Sequence, residues 1–169
     1  MQRPSLHWLV LALAATAAGS VQAHDDDRAQ ARLSGFNEVL PLASNASGKF
    51  EAKLGHSSFS YELSFKDLEG STTQSHIHFG QKGVNGGIIV FLCSNLGNGP
   101  AGTPACPSPG GTVTGTITAA SVIGPSGQDI NPGQFDELLR AMRSGTTYAN
   151  VHSTKFPGGE IRGQIKVDD

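Results

Sequence analysis

The sequence lacks the motifs of the common enzyme classes. It contains no G-x-S-x-G nucleophile motif, no P-loop and no glycine-rich dinucleotide fingerprint. Its two cysteines lack the C-x₂₋₄-C spacing of structural zinc sites. Basic residues are not in excess, with 12 Lys and Arg against 14 Asp and Glu, which argues against nucleic acid or an anionic membrane surface as a partner. Any catalysis would therefore have to depend on a metal, and we expect a non-enzymatic protein.

Long apolar runs are also missing, except for one short run near the N-terminus. Arg3, the apolar residues 9–15 and the small-residue pattern Val21-Gln22-Ala23 are typical of a secretory signal peptide over residues 1–23. The apolar run is shorter than the roughly 20 residues that a spanning helix needs, although an uncleaved N-terminal anchor is an alternative. Cleavage between Ala23 and His24 would leave 146 residues with a formal charge of −3. We therefore expect a secreted or periplasmic protein without a membrane span.

The remaining chain has the length of one domain, enough to bury roughly 68–70% of the surface that its unfolded form exposes. Residues 24–30, HDDDRAQ, predict a flexible acidic leader, and residues 31–169 predict the domain itself. Within the domain, apolar and polar residues alternate, as in a strand with one buried face. The predicted strands are residues 31–36, 47–54, 58–68, 74–79, 88–92, 112–118, 146–152 and 160–167. We expect the second and third to pair as an antiparallel hairpin.

One segment predicts an amphipathic helix. Asn131 is the candidate N-cap, Pro132 the first helical residue and Gln134 the capping-box residue, and Gly145 is a natural stop. Apolar residues recur at helical spacing between these ends, at Phe135, Leu138, Leu139 and Met142. The pattern as a whole predicts an all-β fold, an antiparallel Greek-key-like β-sandwich of about eight strands with one short amphipathic helix.

The two cysteines, Cys93 and Cys106, flank a segment rich in glycine and proline. An even number of cysteines in an exported chain favours a disulfide, and two free thiols are the alternative. In the chain-entropy model, closing such a loop stabilises the fold by about 3 kcal/mol.

Five short segments stand out in order along the chain. They are residues 33–41 (LSGFNEVLP), 46–48 (ASG), 75–80 (SHIHFG), 146–152 (TTYANVH) and 157–164 (PGGEIRGQ). Together they resemble the CHRD domain family, first noted in chordin, whose members carry L-x-G-x-x-E-V-P-P, A-H-I-H-x-G, G-x-x-Y-V-N-V-H-T and P-x-G-E-I-R-G-Q. The resemblance covers residues 31–167, with Leu40 in place of a proline that is usual in the family. In chordin such domains belong to an extracellular growth-factor antagonist, but a free-standing domain has no reason to inherit that binding.

Three histidines form the candidate site. His76 and His78 lie two residues apart on one predicted strand, so both face the same side, and His152 lies on another strand with Asn150. If the two strands are neighbours, the imidazoles would converge on a copper or zinc ion, which imidazole suits. The alternative is a hydrogen-bonded structural network without any ion.

Asn150, Glu160 and Arg162 are assigned to a structural polar network. Glu160 and Arg162 share one face of a predicted strand, where they would form a surface ion pair worth about 0–1 kcal/mol. A catalytic role for Glu160 would need a second carboxylate at a defined spacing, and the sequence offers none.

The sequence therefore predicts an exported, non-enzymatic module of the cell envelope or extracellular space, with an unidentified protein or envelope component as ligand and no required cofactor. The alternative is a periplasmic or secreted copper- or zinc-binding protein that uses His76, His78 and His152.

Overall fold

The structure, a computed structural model, describes residues Asp27–Asp168, which form nine strands and one α-helix. The strands are β1 (Asp27–Ser34), β2 (Ser47–Leu54), β3 (Ser58–Lys66), β4 (Thr72–Phe79), β5 (Gly87–Ser94), β6 (Gly111–Thr118), β7 (Thr147–Ser153), β8 (Ile161–Gln164) and β9 (Lys166–Asp168). The helix is α1 (Phe135–Arg143), and short 3₁₀ helices cover Gly35–Asn37, Ala119–Ser121 and Ser126–Gln128. The predicted signal peptide and its cleavage point at Ala23 and His24 lie outside the described residues.

All strand pairs are antiparallel and belong to one sheet, in the order β5-β4-β7-β8-β1-β2-β3-β6, with β9 added to β1. The predicted all-β class is confirmed, and so is the hairpin of β2 and β3. The two end strands β5 and β6 approach each other, so the sheet curves around until it is nearly closed. One apolar core fills its inner side, where Phe50, Leu63, Ile77 and Leu92 are fully buried.

Two of the predicted strands differ from the structure by more than two residues at one end or by a break, the first and the last. β1 begins at Asp27, so residues 27–30 belong to the sheet and not to a flexible leader. These residues pair with the far end of β2, and Ala29 faces the core with 1% exposure. The polar neighbours Arg28 and Gln30 obscure this burial in the sequence. The last predicted strand is divided into β8 and β9 at Ile165, whose N–H instead donates to Thr147 O.

The helix begins later than predicted. Gln134 occupies the N-cap, and its side-chain oxygen accepts a hydrogen bond from the backbone N–H of Asn131, 2.6 Å away. The bond closes a separate turn at residues 131–134, so the helix begins only at Phe135. The ring of Phe135 packs against Phe59 of β3. The helix ends at Arg143, and Gly145 follows with a φ of +69° that favours glycine, as the stop signal predicted.

The long loop after β5 is tied back to that strand. Cys93 in β5 and Cys106 form a disulfide, and the N–H of Ser94 donates to Pro104 O.

No helix within the described part of the chain is long and apolar enough to cross a membrane.

Candidate metal centre

The site lies on β4 and β7, which are adjacent antiparallel strands, as the metal hypothesis required. On the core side of this strand pair, Ile77 is fully buried. The opposite face carries the polar side chains, paired in register as His76 with Asn150, His78 with Tyr148 and Gln74 with His152. This face is not open to solvent, because the side chains of His76, His78 and His152 are only 0%, 8% and 7% exposed.

The three imidazoles converge. Nδ1 of His76 lies 3.1 Å from Nε2 of His152, and one ring nitrogen from each of the three histidines lies within 4.8 Å of the others. Two nitrogens bound to one zinc ion at about 2.0–2.1 Å are separated by about 3.3 Å in tetrahedral geometry. The nitrogens of His76 and His152 are about this far apart, but they share a hydrogen bond, so both can bind one ion only after the shared proton is released.

Backbone carbonyls determine the tautomers of two of the rings. Nδ1 of His78 lies 2.9 Å from Gly86 O, and Nδ1 of His152 lies 2.9 Å from Pro157 O. Because a carbonyl oxygen only accepts, each Nδ1 carries the proton and each Nε2 keeps its lone pair. Metal-binding histidines in proteins are oriented in the same way, with the second ring nitrogen donating to a carbonyl or carboxylate.

The tautomer of His76 follows from its neighbour. Nε2 of His152 can only accept, so Nδ1 of His76 is the donor of their shared hydrogen bond and Nε2 of His76 holds a lone pair. Among the described residues, neither Nε2 of His76 nor Nε2 of His78 has a hydrogen-bond partner, and both atoms are buried. A buried polar atom without a partner costs about 1–3 kcal/mol, so a ligand on these two atoms would stabilise the fold.

The electrostatic environment keeps the histidines neutral. Burial lowers the pKa of His76 to about 2, and the neighbouring His152 and His78 lower it further in the same direction. Burial also lowers the pKa of His78, to about 4, against the raising effect of the Gly86 carbonyl. The pKa of His152 is lowered by burial as well. At neutral pH all three rings are therefore in the form that binds a metal ion.

Aromatic and cationic groups surround the cluster. The ring of Tyr148 stacks on His78 with centroids 4.8 Å apart and planes 2° from parallel. The rings of Phe91 and His76 are nearly perpendicular, with centroids 4.4 Å apart. The guanidinium carbon of Arg162 lies 3.4 Å from the centroid of Tyr148. Sequence reasoning gave Tyr148 no role, although its spacing of two from Asn150 places it on the same face.

The predicted surface ion pair between Glu160 and Arg162 is wrong. Both side chains are buried, with 0% and 2% exposure, and they bond to different partners. Glu160 accepts hydrogen bonds from Ser44 Oγ and from the N–H of Glu69, each at 2.8 Å. Arg162 donates to Val84 O at 2.7 Å, to Gln81 O at 3.2 Å and to Asn85 Oδ1 at 3.1 Å. The physical reason is that loops cover this face of the sheet. The alternation of residues along the strand predicts only that the face points away from the core, not that a loop covers it.

Sequence reasoning also missed Glu38. Its Oε1 accepts a hydrogen bond of 2.6 Å from Asn150 Nδ2, which also donates to Ile161 O at 2.9 Å. Burial raises the pKa of Glu38 to about 7, against the lowering effects of Asn150 and of Arg162. The available signal was the acidic position in the segment LSGFNEVLP, where Glu38 is the only charged residue.

Comparison with known proteins identifies the family. The family model of the CHRD domain matches residues 29–165, which is most of the chain and includes every member of the histidine cluster. No curated protein and no solved structure matches the chain. Because the match extends from β1 to the residue that separates β8 from β9, the chain belongs to the CHRD domain family.

Proposed function

We propose that this protein is an exported, non-enzymatic binding protein that holds one copper or zinc ion through His76, His78 and His152. The observation that carries the proposal is the pair of buried Nε2 atoms, on His76 and His78, that have no partner among the described residues. A bound ion would supply that partner to Nε2 of His78, in a cluster where one ring nitrogen of each histidine lies within 4.8 Å of the others.

The donor set favours copper over zinc. Neutral imidazole is a good ligand for both ions, and affinity for a given nitrogen site rises from zinc to copper(II) in the Irving–Williams order. The carbonyl groups of Gly86 and Pro157 support either ion, because they hold the Nδ1 proton of His78 and His152 away from the ligand side of each ring.

The closed surroundings favour binding over catalysis. Catalytic metal sites leave a position open to substrate, whereas the three ligand side chains here are at most 8% exposed. Export is supported by the signal-peptide pattern of residues 1–23 and by the disulfide, since disulfides persist in oxidising compartments.

The test is a calorimetric titration of the purified, chelator-treated protein with Cu(II) and with Zn(II). We expect one ion per chain. The variants His78→Asn and His152→Asn remove Nε2, while the asparagine amide nitrogen takes the approximate place of Nδ1 and keeps the bond to the carbonyl. Each variant should weaken binding at least about tenfold, or ~1.4 kcal/mol.

The matched control is His56→Asn, the same change at an exposed histidine between β2 and β3. It should leave the affinity unchanged, and thermal unfolding should show that all three variants are folded. Binding that is absent from the wild type would contradict the proposal. Binding that persists in both cluster variants and is lost when His24 is replaced would also contradict it, because the amine and ring of an N-terminal histidine can together chelate copper. In the first case the histidines have a structural role only.

A further inference from the structure

A second feature of the molecule is a cationic cleft that the metal proposal does not use. It has a volume of about 590 Å³ and lies where β1, β2, β8 and β9 meet the loop between β4 and β5. All of its ionisable lining residues are cations, and they come from five different segments: Arg32, Lys49, Lys82, Arg162 and Lys166. Gln30, Asn37 and Gln164 also line it.

Acidic residues compensate this charge only in part, since Glu38 attracts the buried Arg162. Within residues 27–168, Lys49 forms an ion pair of 2.8 Å with Glu51, but no carboxylate lies within 4.0 Å of the charged nitrogens of Arg32, Lys82 or Lys166. The chain as a whole carries more acidic than basic residues, so the positive charge of the cleft does not reflect a generally basic protein.

The register of the sheet makes this concentration of charge costly. Arg32 of β1 lies directly opposite Lys49 of β2, and like charges in that position destabilise a sheet. Arg162 adds a buried cation, only 2% exposed, beside the exposed side chains of Lys82 and Lys166. A bound anion would relieve the repulsion among these groups.

We propose that this cleft binds a multivalent oxyanion, a molecule with two or more phosphate, sulfate or carboxylate groups. The volume falls in the range of about 300–1,000 Å³ that is usual for small-molecule sites and exceeds what a single phosphate occupies. Arginine and lysine are the side chains that bind such groups. Both a soluble polyphosphate and the repeating unit of an acidic polysaccharide carry this chemistry.

The test is calorimetry of the purified protein at low ionic strength with two probes, tripolyphosphate and a trisaccharide of galacturonic acid. We expect at least one probe to bind with a stoichiometry of one. Tighter binding of tripolyphosphate would indicate a polyphosphate ligand, and tighter binding of the trisaccharide would indicate an acidic polysaccharide. The double variant Arg32→Gln/Lys49→Gln should weaken that binding at least about tenfold. Because it removes a repulsive pair, it should unfold at the same temperature as the wild type or higher.

The matched control lies on the same two strands. Arg28 and Lys53 are another directly opposed cationic pair, but neither lines the cleft. The double variant Arg28→Gln/Lys53→Gln therefore removes the same charge and should leave binding nearly unchanged. Failure of both probes to bind, or an equal loss in the two double variants, would overturn the proposal, since equal loss indicates general attraction to positive charge. Neither pair belongs to the histidine cluster, so the result is independent of metal binding.

Discussion

Replacing Glu38 by glutamine should make the protein more stable in alkaline solution and change it little in acid. The carboxyl group is 8% exposed and its pKa is raised from 4.5 to about 7, chiefly by burial. Folding thus favours the protonated form. The stability that this group contributes is fully present below pH 4.5 and is lost as the pH rises through 7, where the folded protein must hold a buried carboxylate.

The size of the effect follows from the two pKa values. A shift from 4.5 to about 7 corresponds to about 3 kcal/mol at high pH. Glutamine stays neutral and keeps an oxygen that accepts from Asn150, so it mimics the protonated acid. We therefore expect Glu38→Gln to raise the free energy of unfolding by about 3 kcal/mol at pH 8 and by less than about 1 kcal/mol at pH 5. The attraction of Arg162 for the carboxylate is already included in the pKa.

Urea unfolding of the metal-free protein at both pH values measures this difference, provided that the slope with denaturant is the same in wild type and variant. The control is Glu62→Gln, which removes the same charge from an exposed position in β3. The buried histidines affect wild type and variant alike, so they cancel in the comparison. A Glu38→Gln effect that is the same at pH 5 and pH 8, or no larger than that of the control, would refute the reasoning.

Two further predictions concern the scaffold. A Cβ on Gly86 would lie 1.7 Å from Phe79 O, so Gly86→Ala should lower the free energy of unfolding in urea by at least about 2 kcal/mol. The control is Gly127→Ala, whose added Cβ has no atom within 4 Å and which should change that free energy by no more than about 0.5 kcal/mol. Similar values for the two variants would contradict the close approach of the loop between β4 and β5 to the end of β4. Replacing both Cys93 and Cys106 by alanine should lower the free energy of unfolding by about 3 kcal/mol, because the disulfide closes a loop with a sequence separation of 13. Reduction of the wild type should lower it by the same amount. A decrease below about 1 kcal/mol in both experiments would count against the loop-closure argument.

The sequence by itself determined most of the strands and the family. In β3, the apolar residues at positions 59, 61, 63 and 65 alternate with polar ones, and a strand has a period of two, so the pattern predicts both the strand and its buried face. The same periodicity placed His76 and His78 on one face. The five ordered motifs predicted the CHRD family, which the match to residues 29–165 confirms.

The tertiary structure decided what these faces meet. Alternation separates two faces of a strand, but it contains no information about a loop that returns from elsewhere, so the burial of Glu160 and Arg162 beneath such loops was not predictable from the pattern. The approach of His152 to His76, 76 residues earlier, depends on the pairing of β4 with β7. The carbonyls that orient the rings also come from loops, since hydrogen bonding to them depends on the folded path of the backbone. The residue types of the site are thus a property of the sequence, and its geometry is a property of the nearly closed sheet.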